Sequence, residues 1–224
     1  MKLLSDFKSR MRSWKLSKQE PSEIFSKYYR TNKWGDPDSR SGKGSNLNTT
    51  QSVREALPKM VRTLDANSFL DLPCGDFFWM RTVDLGVSKY TGGDIVSDLI
   101  AENQKQYGRE GVTFEVINLI EGPVPRHDIV FTRDCLVHLS NAHVMDALRN
   151  IKASGSTWLI TTTNPTVQSN EDIATGYWRA LDLTKPPFSF GAPVYTIDES
   201  MPGVKGSRSD KSLGVWRVSE IPDY

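Results

Sequence analysis

Cysteine is scarce in this chain. Cys74 and Cys135 are the only two among 224 residues, too few for a disulfide framework, and both read as reduced thiols of a cytoplasmic protein. Histidine is nearly as sparse: His127, His138 and His143 stand without a Cys or carboxylate set at a familiar ligand spacing, so no metal site is expected. No apolar run approaches a membrane span, and the first residues lack the continuous apolar stretch of a signal peptide. An excess of one charge is missing too. Lys and Arg number 28 against 27 Asp and Glu, for a net charge of +1, which disfavours a nucleic acid partner. There is no internal repeat, and the length suits one large domain with a substantial core.

What is present alternates. Strands are expected at Ser68–Leu72, Lys89–Ile95, Val112–Asn118, His127–Thr132 and Thr157–Thr163, with helical segments at Phe77–Val83, Ser97–Tyr107 and Asn141–Ala153 between them. Strand, helix, strand implies a parallel sheet. Val194–Ile197 and Leu213–Val218 then bracket a polar connection and read as an antiparallel pair. The fold class expected is α/β: a Rossmann-like, seven-stranded, mostly parallel sheet with a C-terminal antiparallel pair and helices on both faces.

Ahead of the sheet lie three other segments. Residues 1–20 carry six Lys and Arg against Asp6 and Glu20, with Leu4, Phe7, Met11 and Trp14 at helical spacing. This basic amphipathic helix either docks on its own domain, the commoner case, or touches a membrane surface or a protein partner. Residues 21–66 hold a short helix capped by Ser22, a polar loop from Thr31 to Thr50, and a helix over Gln51–Leu64. A loop of that length in a compact domain reads as a lid, with Trp34 as an apolar cover. The third unit is 67–224, with an aromatic and proline-rich insert at 164–190.

Chemistry concentrates where strands end. Phe69-Leu70-Asp71-Leu72-Pro73-Cys74-Gly75-Asp76 carries an apolar strand into a tight loop, and nineteen residues after Gly75 a second strand ends in Asp94. Neighbouring strand ends of an open parallel sheet bring such a loop and such an acid to one nucleoside, the acid accepting ribose hydroxyls. A dinucleotide site wants Gly-x-Gly-x-x-Gly against its pyrophosphate; here Pro73 and Phe77 leave only Gly75.

The stretch resembles the first motif of class I S-adenosylmethionine (SAM)-dependent methyltransferases, usually Asp-x-Gly-x-Gly-x-Gly, whose ligand has no phosphate. Together with Trp34-Gly35, Ser39-Arg40-Ser41-Gly42, Arg133-Asp134-Cys135-Leu136-Val137-His138-Leu139 and Asp210-Lys211-Ser212-Leu213-Gly214, it looks like a bacterial subgroup of that family. The resemblance implies a SAM site made by Asp71, Pro73, Cys74 and Gly75 near the methionine end, Asp94 and Ile95 at the ribose, and Asn118 and Leu119 at the adenine, with Arg133 beside them. Asn118 reads equally as a strand terminator.

Asp134 and His138 are the candidate general bases, Asp134 on the expectation that partial desolvation raises it toward neutrality. His138 stands between a catalytic and a structural role. The implied reaction is methyl transfer, at oxygen, to a small polar molecule or glycan, the acceptor meeting the insert's aromatics. Two other functions fit parts of the pattern: a nicotinamide-dependent oxidoreductase, which needs glycines this loop lacks, and a non-catalytic SAM-binding adaptor working through residues 1–20.

Overall fold

The computed structural model describes Leu16, residues 18–200 and residues 210–224. The helix expected over residues 1–20 lies outside the described residues except for its last few positions. Helix α1 spans Pro21–Arg30 and starts one residue before Ser22, because Pro21 sits in the first turn, where its missing N–H costs no bond. Helix α2 (Gln51–Thr63) buries Val53, Leu57 and Val61, one side chain per turn.

Strands β1 (Ser68–Asp71), β2 (Lys89–Asp94), β3 (Val112–Val116), β4 (Ile129–Thr132), β5 (Trp158–Thr163), β6 (Tyr195–Asp198) and β7 (Ser212–Arg217) form one sheet, ordered β3-β2-β1-β4-β5-β7-β6. The first five pair in parallel. β7 runs antiparallel to both β5 and β6. Helices α3 (Ser97–Tyr107) and α4 (Asn141–Ala153) complete the layers; the hydroxyl of Ser140 accepts the amide of His143 at 3.2 Å and so caps α4. The expected fold class is the one observed. Among the described residues no helix is long and apolar enough to cross a membrane.

Successive strand residues point to opposite faces, and both faces are apolar. Phe69, Ile129, Phe131, Ile160 and Val215 meet α2 and α3 on one side. Leu70, Val130, Leu159 and Trp216 meet α4 on the other, together with Leu181, Leu183, Phe188 and Phe190 of the insert. Four of the insert's apolar residues thus serve the core. Gly92 stands in β2 because a Cβ there would lie 2.6 Å from the Phe114 ring.

Two expectations are corrected. β3 ends at Val116, two residues before Asn118, whose Oδ1 instead accepts the amide of Ile120 at 3.0 Å and turns the chain. No helix forms over Phe77–Val83, where only Met80–Thr82 make a single 3-10 turn. Phe77 lies in the left-handed region at φ 57°, and its ring is buried against Tyr90, Tyr107 and Phe114 at centroid distances of 5.3, 5.3 and 5.0 Å. A seven-residue helix is marginal alone, and the aromatic burial outweighs it.

The two-sided core sets an expectation for stability. Leu148→Ala, fully buried under the sheet, should lose about 2–5 kcal/mol in urea unfolding, whereas Val116→Thr on edge strand β3, where Val116 is 57% exposed, should stay within about 0.5 kcal/mol.

Candidate active site

The chain runs outward from β1 to β3, then returns to place β4 on the other side of β1. The helices that follow the two halves of the sheet lie on opposite faces, and a crevice opens beyond the strand ends where the order reverses. A cavity of about 760 Å³ occupies it, within the usual range for small-ligand sites. All eleven residues singled out from the sequence line this cavity.

Gly75 adopts φ 54°, a conformation that suits glycine. Its amide donates to Asp94 Oδ2 at 3.3 Å, and the amide of Val96 donates to Oδ1 at 3.0 Å. Asp71 accepts the hydroxyl of Tyr90 at 2.6 Å. Burial pushes the Asp71 carboxyl up to about 7, the Tyr90 bond opposing and the neighbouring Asp94 adding to the rise. Burial likewise raises Asp94 to about 6 against its amide bonds. Cys74 and Cys135 are free thiols, pushed up by burial, Cys135 to about 12. Thiolate chemistry is therefore absent from both at neutral pH.

The polar loop covers this floor, and Asp76 holds it there. Its carboxylate accepts Ser39 Oγ at 3.0 Å, Ser41 Oγ at 3.2 Å and the Arg40 amide at 2.8 Å, while its own amide donates to Ser41 Oγ at 3.0 Å. Ser41 sits so close over the turn that a Cβ on Gly75 would meet its oxygen at 2.2 Å. Trp34 lies 6.0 Å from the His138 ring, centroid to centroid.

Past β4 the charges interlock. Arg133 Nε donates to Glu199 at 2.7 Å, and Nη1 donates to the carbonyl of Gly44 at 2.9 Å and lies 3.3 Å from Asp134. Lys211 bridges Asp134 at 2.6 Å and Glu199 at 3.7 Å. The expected upward shift of Asp134 is reversed. Burial alone would raise it, but Lys211 and then Arg133 outweigh burial and hold it at about 2, so Asp134 is a weak base. His138 is different: burial lowers it below the ordinary histidine range, so the ring is neutral at pH 7. Its Nδ1 lies 2.9 Å from the carbonyl of Tyr177. A carbonyl can only accept, so Nδ1 carries the proton and Nε2 keeps a lone pair.

The sequence matches no protein-family model and no curated protein. Solved structures do match. The DhpI–SAH complex aligns over 87% of this chain and 95% of its own at 18% identity, with a TM-score of 0.56. The magnesium protoporphyrin IX methyltransferase ChlM from Synechocystis PCC 6803, with bound SAM, aligns over 89% and 97% at 15% identity, with a TM-score of 0.55. The methyltransferase domain of bacterial CtHen1 aligns over 76% and 97% at 13% identity, with a TM-score of 0.55. The chain has the class I methyltransferase fold.

Within that methyltransferase fold, sequence reasoning missed Asp76, Glu199 and Lys211. Lys211 lay inside a motif singled out as similar to the family, Asp210-Lys211-Ser212-Leu213-Gly214, and its charge just before an apolar strand was the available signal. Nothing local marks Glu199, which is buried 66 residues from its partner Arg133.

The two acids should respond to pH in opposite senses. Asp71, raised to about 7, contributes stability below its unfolded value that is lost as pH rises from about 4 through 7. Asp71→Asn should therefore gain roughly 1–3 kcal/mol on the native protein between pH 5 and pH 8 in urea titrations. Asp134, held at about 2, contributes stability above about pH 4 that is lost as pH falls toward 2, so the deficit of Asp134→Asn should shrink between pH 7 and about pH 3.

Proposed function

We propose that this chain transfers the methyl group of SAM to an oxygen of a small polar acceptor, a sugar or glycan included. The observation that carries the reading is the meeting of Asp71, Gly75 and Asp94 in one cavity of this fold. DhpI was solved with SAH and ChlM with SAM, which supports the same cofactor here.

The residues suit that cofactor. An ionised carboxylate has about four lone-pair positions. Backbone amides occupy two on Asp94, leaving two for ribose hydroxyls. Asp71 is a buried acid with nothing cationic hydrogen-bonded to it among the described residues, and an ammonium group would satisfy its charge. Pro73, Cys74 and Ile95 complete the wall around the methionine and ribose, while Asn118 and Leu119 face the adenine. Arg133 supports this wall from beneath the lid.

When bound, SAM supplies a methyl carbon activated by a sulfonium. The chain's own part is to bury it under the loop of residues 31–50, exclude water with Trp34, and accept the acceptor's proton at His138 Nε2. With Asp134 held as a carboxylate by Lys211 and Arg133, its role is to keep negative charge near His138 as the imidazolium forms. Residues 21–66 act as the cover, and 164–190 supply the acceptor side.

Calorimetry with SAM and SAH tests the reading, and a folded sample that binds neither overturns it. Asp94→Ala should weaken both by about 2–4 kcal/mol. His138→Gln should leave affinity intact and lower turnover by about two to four powers of ten. Because a protonated Asp71 offers no charge to an ammonium, affinity should fall by up to about tenfold per pH unit below pH 7, and Asp71→Asn should flatten that dependence.

A further inference from the structure

Asn164 follows β5, is 2% exposed, and lines the cavity. Its backbone amide donates to the carbonyl of Leu181 at 2.8 Å, and its Oδ1 accepts the Leu181 amide at 3.3 Å. A backbone N–H can meet only the oxygen end of a side-chain amide, so Nδ2 is fixed as the other end. Nδ2 donates to none of the described residues, and Asn164 lines the cavity. A donor whose orientation is fixed in the cavity wall is placed to meet an oxygen of a ligand.

Trp178 belongs to the same wall and is 53% exposed. Arg179 locks its position: the Arg179 amide donates to Val137 O at 3.0 Å, Nη1 to Leu136 O at 3.1 Å and Nη2 to Asn141 Oδ1 at 2.9 Å. An indole left open on an anchored segment offers a flat apolar face. His138 lines the same cavity, and on the methyl-transfer reading its Nε2 takes the proton.

We infer that Asn164 determines acceptor specificity by donating its Nδ2–H to a second oxygen of the acceptor, whose ring lies on Trp178; the acceptor class is a ring polyol such as a pyranoside or cyclitol. This rests on the methyl-transfer reading. In the step itself, the acceptor hydroxyl oxygen bonds to the methyl carbon, the carbon–sulfur bond breaks with its electron pair going to sulfur, and the hydroxyl proton passes to His138 Nε2.

The test uses the full chain with radiolabelled SAM and three probes: methyl α-glucopyranoside, myo-inositol, and cyclohexanol as the ring with one oxygen. Asn164→Asp keeps the Oδ1 bond to Leu181 and removes the donor. It should lower kcat/KM for the better polyol by about 100-fold, chiefly through KM, and change that for cyclohexanol by less than about threefold. SAH affinity should stay within about twofold of wild type. Trp178→Ala, at an exposed position where folding is not at issue, should cost the polyol about tenfold. The assignment is overturned if the SAH-binding wild type methylates neither polyol, if Asn164→Asp treats the polyol as wild type does, or if both variants lose cyclohexanol in parallel. A wild type that binds no SAH removes the methyl-transfer reading itself, and this inference with it.

Discussion

The closure of this site depends on one buried cation. Arg133 is 7% exposed, so water cannot solvate its guanidinium, and the cost of burying it is offset only by partners brought to it. Those partners come from separate parts of the chain: Glu199 after β6, Asp134 after β4, and the carbonyl of Gly44 in the polar loop. Assembling them fixes the loop of residues 31–50, the end of the parallel sheet and the antiparallel pair relative to one another. Lys211, just before β7, neutralises what Arg133 leaves of the two acids.

Asp76 does the same for the other side of the polar loop, with hydroxyl and amide donors in place of full charges. The tight turn after β1 can therefore dispense with a glycine-rich run. Gly75 supplies the one left-handed residue under Ser41, while Phe77 takes the second left-handed position by burying its ring. The helix that a longer loop would have launched is replaced by aromatic packing. Chain direction is recovered within a single 3-10 turn.

The titratable groups divide along the same lines. Asp71 and Asp94 lie on the floor with few cationic partners, and burial raises both. Asp134, with its side chain 29% exposed, is driven the other way by Lys211 and Arg133. Two acids at the ends of neighbouring strands thus differ in basicity because one is deeply buried without a cationic hydrogen-bond partner and the other has two cations beside it. The tautomer of His138 follows from the Tyr177 carbonyl.

Local chemistry made much of this chain readable in one dimension. Apolar runs of strand length, a turn after each, and carboxylates at the turns follow from backbone periodicity and from the need to bury both faces of a parallel sheet, and they put Asp71, Gly75, Asp94 and Asp134 on one crevice. The Phe77 turn was not readable, because a left-handed residue outside glycine is paid for only by the three rings around it. The basicity of Asp134, the partnership of Glu199 with Arg133 and the orientation of the Asn164 amide were hidden for a common reason. Each is set by a group 17 to 77 positions away in the chain, and an electrostatic field or a hydrogen bond acts through space, where only the folded arrangement says which neighbours are near.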